Sequence, residues 1–223
     1  MKDLNKQFIE ERYCGEWKIP PVEKVRVRIL TDLVGRNMKV LDLGCYEGSI
    51  SALLKNKGNE ITGVDLSFKA LKFAQEKGVK PINADLSVKL PFRDNVFDVV
   101  LAAEVIEHLY DLKGFLLEVK RVLKKEGTLI LSTPNLASLG RRLFLFFGKN
   151  PLIEVEFEKE AAGHIRYFVK KTLIDLLSKY GFEVRFFCSD AVNFDNSGRR
   201  FSSLLAKIFP GLGKSLIIKA MNK

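Results

Sequence analysis

Residues 40–51 read VLDLGCYEGSIS, and the fold follows from how this stretch is built. The run MKVLDLGC (38–45) is apolar and stops at glycine, as a buried strand does. GSISALLKNKG (48–58) then takes helical periodicity and ends at Gly58. A glycine loop between a first strand and a first helix holds a nucleotide-like ligand at the carboxyl ends of the strands. This loop is not a phosphate cradle. A dinucleotide fingerprint needs G-x-G-x-x-G, and counting from Gly44 the later glycine slots hold Tyr46 and Ser49. Glu47 puts a carboxylate where a phosphate would sit, and the chain has no GKS or GKT of a Walker loop. The spacing therefore predicts a ligand with a nucleoside and no phosphate.

The same strand–helix unit repeats outward. EITGVDLS (60–67), VKPINAD (79–85), VFDVVLAAE (96–104) and TLILSTP (128–134) read as strands. Residues 67–77 read as a helix capped by Ser67, and residues 111–124 as one capped by Asp111. Upstream, residues 20–34 open on Pro20 and Pro21 and place Val22, Val25, Ile29, Leu30 and Leu33 at helical spacing. The alternation breaks over 135–167, which holds RRLFLFFGK (141–149) and the acidic EVEFEKE (154–160). A helix at 169–181 and a strand at 182–189 follow, then an irregular stretch 190–213 and a last strand, 214–223. This order predicts an α/β fold: a doubly wound, mostly parallel, seven-stranded sheet with a helical insertion after the fifth strand. The expected organisation is one domain over 1–223, with 1–35 as an N-terminal helical cover and 135–167 as a substrate or lid insertion.

Composition bounds the rest. The chain has 223 residues, 47% apolar and 29% charged, which excludes a disordered, collagen-like or disulfide-framework protein. Cys14, Cys45 and Cys188 share no C-x-x-C or zinc spacing, which suits a reduced compartment. The start MKDLNKQFIEERY has no apolar core of a secretory signal, and no apolar run approaches the ~18 residues of a membrane span. A soluble, cytoplasmic protein is expected. Lys and Arg outnumber Asp and Glu by 37 to 27, a net charge of +10. That favours an anionic metabolite, nucleic acid or an anionic membrane face. The alternative is a solvated basic surface, since the basic residues are scattered.

Three carboxylates refine the ligand. Asp65 ends the second strand one βα unit after the loop, where an acidic side chain accepts from both ribose hydroxyls. Asp85 ends the third strand within reach of an adenine amino group, against the simpler role of an Asp that caps its own turn. Asp42 and Glu47 call for a cationic part. Cys45 sits in the loop for its backbone; no base accompanies it to make a nucleophile.

With these residues in place, the chain resembles the class I S-adenosylmethionine-dependent methyltransferases. The resemblance covers about 36–189 and rests on VLDLGCYEG, GVDLS, NADLS, FDVVLAAEVIEHL, LILSTPN and KKTLIDLLSKYGFEV, in the family's order. It implies that S-adenosylmethionine, or its product S-adenosylhomocysteine, is the cofactor. It implies that Asp42, Gly44, Cys45 and Gly48 line the methionine moiety and that Asp65 holds the ribose with Leu66 beside the adenine. Asp85 and Leu86 would contact the adenine, and Ala103 the methionine end. It also implies an antiparallel final strand, a place that 214–223 could fill.

Methyl transfer from a sulfonium is an in-line displacement that depends on alignment and, for an O–H acceptor, on removing a proton. AEVIEHL, just past the fourth strand, holds Glu104, Glu107 and His108; the only other histidine is His164. Glu104 shares a helical face with Glu107 and His108. Glu104, His108 and His164 are the catalytic candidates, an imidazole being the natural base near neutral pH. The segment with a later histidine resembles the ubiquinone-biosynthesis O-methyltransferases and the small-RNA 2′-O-methyltransferases. That resemblance implies a divalent metal (Mg²⁺, Mn²⁺ or Zn²⁺) on Glu104, Glu107, His108 and His164. Against it, EVIEHL also occurs in members without a metal, where Glu107 and His108 only order the loop.

The expected activity is methyl transfer to a hydroxyl, or another nucleophile, of a small anionic or amphipathic metabolite, by a monomer or homodimer. One alternative is an RNA 2′-O-methyltransferase with metal-assisted catalysis, although no dense basic stripe with interleaved aromatics is present. The other is a non-catalytic S-adenosylmethionine-binding regulatory protein. The basic and apolar segments 141–149 and 199–214 suit a lid, a peripheral membrane contact or ordinary packing. Tyr13 and Trp17 suit either closure over the site or anchoring of the N-terminal segment.

Overall fold

The structure is a computed structural model and describes residues 19–155, 163–194 and 200–223. Tyr13, Cys14, Trp17, Asp195, Arg199 and most of the acidic stretch 154–160 lie outside the described residues.

The main strands are β1 (Lys39–Leu43), β2 (Glu60–Asp65), β3 (Lys80–Asn83), β4 (Phe97–Ala103), β5 (Leu123–Pro134) and β6 (Phe182–Cys188), with a last strand β9 (Ser215–Asn222). They form one sheet in the order β3-β2-β1-β4-β5-β9-β6. β1 to β5 pair in parallel, and β9 runs antiparallel to both β5 and β6. The order reverses between β1 and β4, and a crevice opens at the carboxyl ends of the strands at such a switch point.

Period-two burial along each strand builds two cores. Val40, Val99, Leu101, Ile130 and Ile217 face one side with Leu30 and Val34 of α1 (Pro21–Val34), Leu54 of α2 (Ser49–Lys55) and Ala74 of α3 (Phe68–Glu76). Leu41, Leu43, Val100, Leu129 and Leu131 face the other with Phe115 and Val119 of α4 (Leu112–Val122). Leu173 and Leu177 of a later helix, Lys170–Lys179, join that side. Each fully buried Leu, Ile or Phe is worth about 1.5–3 kcal/mol over leaving it exposed. Ser67 and Asp111 cap α3 and α4 by accepting from the N–H groups of Ala70 (3.2 Å) and Gly114 (2.9 Å).

Three expectations are corrected. The buried stripe of α1 is Val22, Arg26, Val27, Leu30, Thr31 and Val34, so it is turned from the one read off the apolar residues and carries an arginine at its centre. β5 starts at Leu123 rather than Thr128, because Leu123 pairs with Phe97 before the register shifts. The stretch 190–213 is not irregular throughout: it holds a small hairpin, β7 (Val192–Asn193) with β8 (Phe201–Ser202), and the short helix Ser203–Ile208.

Within the insertion, α5 (Leu139–Phe146) has no buried residue, so ordinary packing on the core does not describe it. The insertion is pinned at its base instead. Leu136 N–H donates to the Phe168 carbonyl (2.9 Å), and the buried Asn135 amide donates to the carbonyls of Gly211 (3.0 Å) and Gly213 (2.9 Å). No helix among the described residues is long and apolar enough to cross a membrane.

Candidate active site

The cofactor-binding candidates centre on the β1–α2 loop. Gly44 and Gly48 both have positive φ (73° and 79°), where a side chain is strained. A Cβ on Gly44 would lie 2.7 Å from Val105 Cγ2, and one on Gly48 3.0 Å from the Ala74 backbone. The N–H groups of Gly44 and Cys45 donate to the Val64 carbonyl (2.8 and 3.1 Å), which ties the loop to β2. Asp65 is oriented from both sides: Tyr46 N–H donates to Oδ2 (2.8 Å) and Ser67 N–H to Oδ1 (2.9 Å). A carboxylate fixed in this plane suits two adjacent ribose hydroxyls.

The other loop carboxylates differ from expectation. Glu47 does not face a ligand: it is buried and ion-paired with Lys77 at the end of α3. Asp42 is buried behind the loop, accepts from Ser51 Oγ (2.6 Å), and burial pushes its carboxyl up to about 7. Burial also pushes the Cys45 thiol up, so no thiolate forms there near neutral pH. Its Sγ packs where a Gly63 side chain would stand. Asp85 accepts from the backbone N–H and hydroxyl of Ser87 (2.8 and 2.7 Å), the turn-capping alternative. Leu66, Leu86 and Ala103 are half-buried, Ala103 at the end of β4 beside Ser132 of β5.

The catalytic candidates lie past β4. Glu104 has φ 56°, in the left-handed region, and there the chain leaves the strand. Its carboxylate is spoken for: Arg26 Nη1 of α1 meets Oε2 at 2.7 Å and Ser132 Oγ donates to Oε1 at 2.8 Å. Arg26 also pairs with Glu23, which pairs in turn with Lys214. Glu104 thus anchors α1, and it stands outside the cluster of converging ligand atoms, which is Glu107, His108 and His164.

Glu107, His108 and His164 do converge, each offering a ligand atom within 4.8 Å of the others. Glu107 and His108 sit on a 3-10 turn, Ile106–His108. Thr133 Oγ1 donates to Glu107 Oε2 (2.9 Å), while Oε1 is buried without a hydrogen-bond partner. Burial, and then the Glu104 charge, hold the Glu107 carboxyl well above the usual range. His164 is brought in across the insertion, because the N–H groups of Ile165 and Arg166 donate to the Glu107 carbonyl (3.0 and 3.2 Å). Arg166 Nε also donates to the Leu109 carbonyl (2.9 Å). The two imidazoles stand 5.0 Å apart. His108 Nδ1 lies 3.0 Å from the Gly163 carbonyl, and His164 Nδ1 3.0 Å from Glu154 Oε1. Burial and His108 lower the His164 pKa, which keeps that ring neutral near pH 7. Arg26 and Glu154 were not read as site residues from the sequence. Arg26 had a signal: a charge four residues from Val22 and Leu30 on one helical face.

A strained glycine loop beside an oriented carboxylate and a histidine cluster, at the switch point of such a sheet, suits a methyl-transfer fold, and the comparisons show that family. A family profile described as a methyltransferase domain matches residues 41–131. The demethylmenaquinone methyltransferase of Thermotoga maritima is 30% identical over 164 residues, 66% of this chain and 71% of that enzyme. The ubiquinone biosynthesis O-methyltransferase of Pelagibacter ubique is 29% identical over 161 residues, 60% of this chain and 67% of that enzyme. The chain belongs to the class I S-adenosylmethionine-dependent methyltransferase family. A crystal structure of an S-adenosylmethionine-dependent methyltransferase from Thermotoga maritima superimposes with a TM-score of 0.68 at 21% identity, over 100% of this chain and 95% of that one, which shows the shared fold.

Proposed function

We propose that this methyltransferase delivers its methyl group to a hydroxyl of a small amphipathic acceptor, with Glu107, His108 and His164 at the acceptor pole. The carrying observation is the partner of each imidazole. A carbonyl only accepts, so His108 Nδ1 facing Gly163 carries the proton, and the neutral ring keeps its lone pair at Nε2. Glu154 fixes His164 in the same tautomer. As the acceptor oxygen attacks the sulfonium methyl in line, its proton passes to an imidazole Nε2, the carbon–sulfur bond breaks and S-adenosylhomocysteine leaves.

The same three donors suit a divalent cation. Glu107 Oε1 is buried and unpartnered, and each imidazole has an orienting partner behind it, as metal-ligating histidines do. Glu107, His108 and His164 would hold it, with Glu104 outside the set. Such a cation lowers the pKa of a bound hydroxyl. The relative named as an O-methyltransferase of ubiquinone biosynthesis supports a hydroxyl acceptor of quinone-related type, and the exposed Leu143, Leu145 and Phe146 of α5 suit an apolar substituent.

The test is product formation from S-adenosylmethionine and a panel of catechols. It is run on untreated protein, after EDTA, and with Mg²⁺, Mn²⁺ or Zn²⁺ restored. The expected result is an O-methylated catechol that is lost with EDTA and restored by one cation. Turnover that survives EDTA would leave the histidines as bases and remove the metal. Intact S-adenosylhomocysteine binding with no O-methylation of any catechol would sink the hydroxyl reading.

A further inference from the structure

The two adjacent arginines of α5 have opposite fates. Arg142 is exposed, and its Nε donates to the Ala137 carbonyl (2.6 Å) at the start of its own helix. Arg141 is half-buried. Its guanidinium carbon stands 5.5 Å from the centroid of the Tyr167 ring, and its Nη1 is buried without a hydrogen-bond partner. The Tyr167 ring stands 6.1 Å from the His164 ring, which is 5.0 Å from that of His108.

The nearby acid that would pair with Arg141 is already engaged. Glu154 Oε1 faces His164 Nδ1, and Oε2 accepts from the N–H groups of Gly163 (2.7 Å) and His164 (3.2 Å). The Tyr167 hydroxyl accepts from Glu154 N–H (2.7 Å). Among the described residues no carboxylate lies within ion-pair distance of Arg141. A guanidinium presents five donors, and burying one unpaired costs stability. Burial depresses its pKa accordingly. A planar donor fork held in this way is matched by a carboxylate, which it binds through two parallel bonds.

We infer that Arg141 is a specificity residue that grips a carboxylate on the methyl acceptor, one ring away from the hydroxyl held at His108 and His164. This rests on the acceptor pole proposed above and narrows its substrate class to hydroxylated acids. Tyr167 then does two things: it shields the guanidinium from water on one face and spaces it from the histidines.

The experiment compares wild-type protein with Arg141→Met and Arg141→Lys on a matched pair, 3,4-dihydroxybenzoate and its uncharged methyl ester. Two quantities are read: kcat/KM for each compound, and calorimetric binding of each to the protein saturated with S-adenosylhomocysteine. The wild type is expected to favour the acid over the ester by about 10- to 100-fold, the range of a charge-assisted contact in a partly dry site. Arg141→Met should bring that ratio close to one, and Arg141→Lys should keep a part of it, because lysine retains charge but not the fork. Thermal unfolding without ligand separates this role from a structural one. If Arg141 held the fold together, its removal would lower the midpoint; a half-buried guanidinium with an unpartnered Nη1 predicts a midpoint unchanged or raised. A wild type that prefers the ester or binds neither compound, or an acid preference that survives Arg141→Met, overturns the assignment. Loss of S-adenosylhomocysteine binding itself would mark failure of the underlying reading instead.

Discussion

The proposed cofactor half and the proposed acceptor half of the crevice are built in different ways. The first is made by consecutive residues: Gly44 to Gly48 form one loop after β1, and Asp65 is fixed by Tyr46 and Ser67. The second is made by contacts across long separations: His108 with Gly163, Glu104 with Arg26, and Arg166 with Leu109. The first therefore holds its shape through backbone conformation and the second through side chains on three separate segments. Damage to one should be separable from damage to the other.

The largest separation is expected at His108. Replacing it with Gln removes the base or ligand and leaves the loop untouched, so kcat should fall about 10²- to 10⁴-fold. S-adenosylhomocysteine affinity, measured by calorimetry, should stay at the wild-type value. Parallel loss of both would mean that the halves are one cooperative unit.

This division also decides what was legible in the sequence. The strands of the sheet (apart from the early start of β5), the caps Ser67 and Asp111 and the glycine loop are local patterns, and they stand where periodicity and turn chemistry put them. Glu47 was misread because its partner, Lys77, is brought in only by the packing of α3 against the loop. Glu104 was grouped with Glu107 and His108 on helical spacing. The backbone turns into the left-handed region at Glu104, so the shared helical face never forms and the side chain swings to Arg26. Arg141 and Arg142 are indistinguishable as neighbours in a basic run. Only the position of Tyr167, brought in by the pinned insertion, tells them apart.

Asp42 offers the next test, on stability. Its folded pKa is raised to about 7 from an ordinary 3.8. The unfolded chain releases this proton near pH 4 and the folded chain near pH 7, so this residue lowers stability progressively as pH rises between the two. Asp42→Asn removes that slope and keeps an acceptor for Ser51 Oγ. Relative to wild type, the variant should gain stability from pH 4 to pH 8, by up to about 4 kcal/mol. Urea midpoints at the two pH values measure it. An equal difference at both would show that folding leaves the Asp42 pKa unshifted.

Asp65→Ala acts on the cofactor alone. Loss of the oriented ribose carboxylate should weaken S-adenosylhomocysteine by about 10- to 100-fold. Turnover at saturating cofactor should change far less. Unchanged affinity would reject the ribose assignment.

The smallest effect is the most discriminating, because it compares two glycines of one loop. Gly44→Ala and Gly48→Ala each place a side chain at positive φ, which costs about 1–2 kcal/mol. Their neighbours differ. The new Cβ at 48 meets the Ala74 backbone, inside the cofactor half, whereas that at 44 meets Val105, which leads into the turn carrying Glu107 and His108. Gly48→Ala should therefore raise KM for S-adenosylmethionine with kcat nearly kept. Gly44→Ala should push Val105 and lower kcat as well, since displacing the acceptor pole by a few tenths of an ångström disturbs alignment. Steady-state kinetics at saturating acceptor separates the two. Identical kinetic losses in both variants would mean that strain in the loop spreads to the histidines by itself, and that the contact between Gly44 and Val105 is not where the two halves are coupled.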